Sequence, residues 1–159
     1  MMGQGESHGP IDPALAGFLT SGVAIMAATR DGDLQPEIAR GWGPGPSADG
    51  ARLDLCLIAP SGSATRANLE ANVSIAVNCT RPSTYRAVQI KGRVTEVRAP
   101  TEDDLARAAE HAEAFTADTA KVGSPAPSAF YIGAVDLAVT LEVDELYDQT
   151  PGPAAGSRL

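Results

Sequence analysis

The chain has 159 residues, 43% of them hydrophobic but only 4% aromatic, and a formal net charge of −8. That length predicts one domain, with a core of Val, Leu, Ile and Ala in place of rings. The negative charge repels nucleic-acid backbones and anionic lipid surfaces, and no apolar run approaches the ~20 residues of a membrane span, so nucleic-acid and membrane partners are excluded.

The start, Met1-Met-Gly-Gln-Gly-Glu-Ser-His8, lacks the basic and apolar regions of a secretion signal, so a soluble, cytoplasmic protein is expected. Residues 1–10 are polar and Gly-rich and are expected to be disordered. Asp12 before Pro13 marks a helix start, and Leu15, Phe18 and Leu19 give that short helix one apolar side. It suits the covering of a sheet edge or a barrel end.

A first strand follows, with Val23, Ile25 and Ala27 on one face, and Asp31-Gly32 supplies a tight turn. The returning run from Leu34 to Trp42 carries Pro36, which fits a strand beginning or an edge. Gly41 to Gly50 is expected to be a loop. Its Gly-x-Gly look has no strand-turn-helix context, and Pro44 and Pro46 remove backbone donors, which argues against a nucleotide-binding loop.

Leu53, Leu55 and Leu57 alternate with polar residues in a third strand that Pro60 ends. The stretch Ser61-Gly-Ser-Ala-Thr-Arg-Ala-Asn-Leu-Glu-Ala-Asn72 then reads as a small helix with hydroxyls and an arginine at its start. Helix N-termini present unpaired N–H groups and the positive end of a dipole, so Ser61, Ser63, Thr65 and Arg66 are candidates to hold a phosphate. The competing assignments are a plain N-cap for Ser61 or Ser63 and a surface role for Arg66.

Val73, Ile75, Val77 and Cys79 alternate in a fourth strand, Arg81-Pro-Ser-Thr84 turns the chain, and Val88, Ile90 and Val94 alternate with Gln89, Lys91 and Arg93 in a fifth. Gly92 within that run points to a bulge or a close backbone approach. Cys56 and Cys79 lie in separate strands without Cys-x-x-Cys spacing, as buried reduced thiols do. Thr101 caps the longest helix, whose apolar stripe is read as Leu105, Ala108, Ala109, Ala112 and Phe115, with His111 beside it on a solvated face. A Pro/Gly/Ser loop over 121–127 and Phe130-Tyr-Ile-Gly133 precede a last strand through Val135, Leu137, Val139, Leu141 and Val143. From Gln149 the Pro/Gly-rich tail should run along the surface or across a partner.

Six alternating strands lose their edges best by closing, which predicts a mainly β fold, a six-stranded antiparallel barrel with flanking helices. Two peripheral histidines, His8 and His111, support neither a metal site nor a nucleophile-base set, so catalytic residues stay unassigned and any hard chemistry falls to a cofactor. Tyr85, Trp42 and Tyr131 are candidates to stack on a ring, although isolated aromatics more often serve packing.

The Ser/Thr-rich turn, the short helix ending Asn68-Leu-Glu-Ala-Asn72, the strand after it and Tyr85-Arg-Ala-Val-Gln-Ile-Lys-Gly-Arg-Val94 together resemble the FMN-binding split-barrel family typified by pyridoxamine 5′-phosphate oxidase. The likeness spans Leu15 to Gly156, and Tyr147-Asp-Gln-Thr-Pro-Gly-Pro153 resembles the tail of one of its branches. It implies a split barrel over 11–148, with 149–159 as tail, and a homodimer holding FMN between subunits. It also implies phosphate contacts from Ser63, Thr65 and Arg66 and from Arg86, Gln89 and Lys91. The implied activity is an oxidoreductase on a small molecule, with NAD(P)H as donor; the alternatives are a non-enzymatic flavin or haem module and a deazaflavin-dependent reductase. Two departures argue against vitamin B6 oxidation: the basic Arg-x-His segment is absent, and an Arg-Gln pair of the oxidases reads Arg86-Ala87 here.

Overall fold

The computed structural model describes residues 9–123 and 134–159. The expected disorder of residues 1–8, with His8, and the run containing Tyr131 therefore fall outside the described residues. Gly9, inside the stretch expected to be disordered, donates to the Asp49 carbonyl, and Ile11 donates to Gly50 at 3.0 Å.

The described elements are α1 (Pro13–Leu19), β1 (Ala24–Arg30), β2 (Pro36–Pro46), β3 (Arg52–Leu57), α2 (Ala64–Ala71), β4 (Ser74–Thr80), β5 (Ala87–Arg98), α3 (Glu102–Ala120) and β6 (Leu137–Asp148). The strands close into an antiparallel barrel in the order β1-β2-β3-β6-β5-β4. The alternating patterns dictate which side chains enter it: Ile25, Val77, Ile90, Val139 and Leu141 are wholly buried while their neighbours face outward. Each such side chain contributes roughly 1.5–3 kcal/mol of burial. The inward set has no ring, as the composition requires, and packs with Leu15, Phe18 and Leu19 of α1 in one core. Asp12 caps α1 by accepting from Leu15 N at 2.7 Å, with Pro13 at the first helical position.

A second, smaller core lies outside the barrel, where α3 packs Ala108, Ala112 and Phe115 onto Trp42 and Cys56. Here two expectations are corrected. Gly41–Pro46 is strand, not loop: β2 continues through it with a register shift between Trp42 and Gly45, and the bulge accommodates the proline that cannot donate. His111 is not on a solvated face but 4% exposed, its Nδ1 accepting the Gly43 N–H at 3.2 Å. Its ring meets Trp42 edge-on at 5.5 Å. Burial pushes its pKa down to about 4, so the ring is neutral. Ala108, Ala112 and Phe115 of the expected stripe are buried, while Leu105 is 40% exposed and Asp104 turns inward.

Gly92 sits where the sequence placed a bulge. The β5–β6 register shifts between Lys91 and Gly92, and a Cβ on Gly92 would lie 2.0 Å from the Glu142 carbonyl oxygen. The tail folds back on its own chain. Asp148 N donates to Ser157 at 2.9 Å, Leu159 N to Leu146 at 2.9 Å, and Tyr147 bridges to Arg158.

Candidate functional site

β3 ends at Leu57, Pro60 follows, Gly62 turns the chain at φ +80°, and Ser63 in extended conformation caps α2, its hydroxyl accepting from Arg66 N at 3.4 Å. Ser63 is thus the N-cap that the sequence offered as one of its two roles. Thr65 is 3% exposed, buried in the first turn of α2. Asn68, also buried, ties the helix to β1 by donating to Thr29 Oγ1 at 3.1 Å.

Arg66 reaches back across the end of β3. Its Nε donates to the Ala59 carbonyl and its Nη2 to the Asp136 carbonyl at 3.0 Å, with the Asp136 carboxylate 3.8 Å away. That carboxylate is itself engaged, its Oδ1 accepting from Ala59 N at 2.8 Å. Among the described residues no hydrogen bond is formed by Nη1 of Arg66. The guanidinium is therefore oriented by two carbonyls, half-exposed, and able to offer a donor edge to an anion.

Gln89 and Lys91 occupy outward positions on β5, flanking buried Ile90. The Lys91 ammonium lies 5.0 Å from the Tyr147 ring centroid, close enough for a cation–π contact. It opens onto a cleft of about 530 Å³ whose lining includes Ala28, Arg30, Ser74, Ala76 and Arg93. That volume lies in the range of small-molecule sites. Arg93 is occupied by Asp144 and Glu142, at 3.0 and 2.8 Å, which leaves Lys91 and Arg30 as the cations facing the cleft without a carboxylate hydrogen bond.

Arg86 stands elsewhere, its guanidinium 4.3 Å from the Phe18 ring of α1. The register makes the separation plain. Arg86 precedes Ala87, which pairs with Thr80, and Thr80 pairs with Ala24 at the start of β1, whereas α2 is bonded to Thr29 and Arg30 at the end of β1. Within one chain the six expected residues thus fall in three places: Ser63, Thr65 and Arg66 at one barrel end, Arg86 at the other, and Gln89 and Lys91 on the wall.

Sequence reasoning missed Asp136, whose contact with Arg66 spans seventy positions and leaves no local signal, and Arg30 and Ser74, which reach the cleft only because β1, β4 and β5 are neighbours. Of the aromatic candidates, Trp42 is fully buried under α3 and serves packing. Tyr85 is 68% exposed and holds φ +60°, a conformation side chains rarely adopt. Both cysteines are buried, and burial pushes the Cys79 thiol up to about 12 and Cys56 to about 11, so neither is a nucleophile. Among the described residues no three His, Cys, Asp or Glu side chains gather to hold a metal, and no helix is long and apolar enough to cross a membrane.

No family model and no curated protein matches the chain. Solved structures do. HupZ of Group A Streptococcus aligns over 92% of this chain and 99% of its own, at a TM-score of 0.56 and 16% identity. An F420 reductase aligns over 81% and 92%, at 0.53 and 15% identity. A pyridoxamine 5′-phosphate oxidase-related, FMN-binding protein of Nostoc punctiforme aligns over 94% and 89%, at 0.50 and 17% identity. With its closed six-stranded antiparallel barrel, the chain has the fold of the pyridoxamine 5′-phosphate oxidase-like, FMN-binding proteins.

Proposed function

We propose that this chain binds FMN between two copies of itself and works as a flavin-dependent oxidoreductase on a small organic molecule, with a nicotinamide cofactor as electron donor. The observation that carries the proposal is the barrel itself, a fold shared over nearly the whole chain with FMN-binding proteins. The residues at the start of α2 fit the anionic end of such a ligand: a cap-ordered helix N-terminus and an arginine whose Nη1 bonds to no described residue. Bound FMN would supply hydride and electron transfer, for which this chain's side chains have no substitute. The role of the chain is then to grip the phosphate at Arg66 and Ser63 and to shield the ring from water.

The distance between the two expected residue sets supports the second copy. Arg66 is held after β3 and before β6 by Ala59 and Asp136, whereas Arg86 stands before β5 against Phe18 of α1, and a partner subunit would bring one of them to a ligand held by the other. The cytoplasmic setting remains part of the proposal.

A second reading has one specific support, the F420 reductase among the similar structures: a deazaflavin in place of FMN. Absorbance of the purified protein, alone and after adding FMN, separates the cases. Paired visible bands that follow the protein through gel filtration at dimer mass are expected. A single near-violet band would move the assignment to a deazaflavin, and a Soret band to haem. A monomer that retains no chromophore and takes up no added FMN would overturn the proposal.

A further inference from the structure

The Asp136 carboxylate is placed where it works against an anionic ligand. Two backbone carbonyls, of Ala59 and Asp136, already orient the Arg66 guanidinium through Nε and Nη2. The Asp136 carboxylate, at 3.8 Å from Nη2, is beyond hydrogen-bond range and contributes charge alone. Its structural bond goes to a different group, the N–H of Ala59 at 2.8 Å, and joins the end of β3 to the start of β6. One side chain thus has two separable parts: an acceptor oxygen that the fold uses, and a negative charge that neutralises the arginine.

From this we infer that Asp136 is a positioning residue that sets how strongly the site prefers a phosphorylated flavin over the same ring without phosphate. The inference rests on the proposal that Arg66 receives the phosphate. With Asp136 charged, the Arg66–Asp136 unit carries no net charge, so a phosphate approaching Nη1 gains from hydrogen bonding while the neighbouring carboxylate opposes it. With Asp136 neutral, the guanidinium keeps its two carbonyl partners, and therefore its orientation, and presents a full positive charge. The side chains of Arg66 and Asp136 are 32% and 36% exposed, so water screens the carboxylate and keeps the effect moderate.

Asp136→Asn tests this, because an amide oxygen can still accept from Ala59 N while the charge is gone. Dissociation constants for FMN and for riboflavin are measured by flavin fluorescence on the full chain at low ionic strength, in wild type, Asp136→Asn, Arg66→Ala and the double variant. FMN should bind about 2- to 10-fold tighter to Asp136→Asn, with riboflavin unchanged, and the gain should vanish when Arg66 is also removed. A folded Asp136→Asn protein with unchanged or weaker FMN binding overturns the inference. So does an equal gain for both ligands, or a gain that survives Arg66→Ala. FMN binding indifferent to Arg66→Ala sinks the phosphate assignment itself, whereas Arg66-dependent binding that ignores the Asp136 charge sinks only the role given to Asp136. Asp136→Ser, also neutral and able to accept, takes its place if the asparagine variant does not fold.

Discussion

Two clusters pair arginine with aspartate near the start of a helix in this molecule and differ in what surrounds them. At the start of α3, Asp104 is buried to 4% side-chain exposure and accepts from Arg98, from Arg107 at 2.9 Å, and from the Thr101 N–H and hydroxyl at 2.8 and 2.9 Å. The Arg98 guanidinium, more than any other partner, holds its carboxyl well below the usual carboxylate range. At the start of α2, Arg66 meets Asp136 at 3.8 Å in a half-exposed setting, with one nitrogen unbonded to any described residue. The first cluster is saturated and belongs to the fold. The second holds its arginine in place and leaves a face of it available, which is the property the proposed phosphate contact needs.

Removing the carboxylate from the saturated cluster should therefore have the largest effect. Asp104→Ala takes the shared buried carboxylate from two guanidinium groups, which keep only the Gly43 and Ala99 carbonyls and the exposed Glu96, and removes the capping box of α3. We expect a loss of roughly 3 kcal/mol, placed at the low end for buried pairs because both arginines are partly exposed, and readable as a shift in the urea midpoint. A loss below about 1 kcal/mol would mean the cluster is as dispensable as a surface pair.

The neighbouring His111 supplies the pH arm of the comparison. Its folded pKa is lowered to about 4 from an ordinary 6.5, so the unfolded chain binds the proton more readily. Stability is complete above about pH 6.5 and declines as the pH falls toward 4, by about 2 kcal/mol between pH 7.5 and 5. His111→Gln, which keeps an acceptor toward Gly43, should flatten that part of the stability profile; an unchanged profile would exclude His111 as its cause.

Arg66→Ala should do the reverse of Asp104→Ala: little to stability, and a 10- to 150-fold loss of FMN affinity with riboflavin nearly unaffected. That range corresponds to the roughly 1.5–3 kcal/mol of a hydrogen bond to a charged group. Equal losses for both ligands would mean that Arg66 serves the fold or the ring. The smallest effect is expected at Arg93, whose bonds to Glu142 and Asp144 are exposed to solvent. Arg93→Ala should leave the urea midpoint within error. A clear shift would show that exposure is not what divides the two classes.

The barrel was legible in the sequence because a period of two over apolar residues leaves little choice of face, and the three helices announced themselves through Asp12, Ser63 and Thr101. Part of the buried face of α3 was hidden by its own polar residues. Asp104, Ala108, His111, Phe115 and Asp118 follow steps of four and three, the spacing of a buried face, yet three of the five are titratable and draw the eye to solvent. The Gly41–Pro46 segment was obscured by its two prolines, since the bulge that tolerates them depends on a helix more than sixty residues away: Arg107 Nε donates to the Gly43 carbonyl at 2.7 Å. The candidate residues were found by type and not by place. Periodicity says that Lys91 faces out, but only the order β1-β4-β5 brings Arg30 and Ser74 beside it.

The path of the tail carries one consequence for how this barrel coexists with copies of itself. β3 accompanies β6 only from Leu137 to Glu142, so the later part of β6 would show a bare row of amide and carbonyl groups on the side away from β5. Such a row is a template on which a foreign strand can grow. Residues 157–159 lie against it, with Ser157 and Leu146 each accepting one bond and Arg158 bridging Tyr147. A segment whose side chains are all exposed, and which adds almost nothing to the core, thereby covers through its backbone a stretch of strand edge that would otherwise be open to pairing.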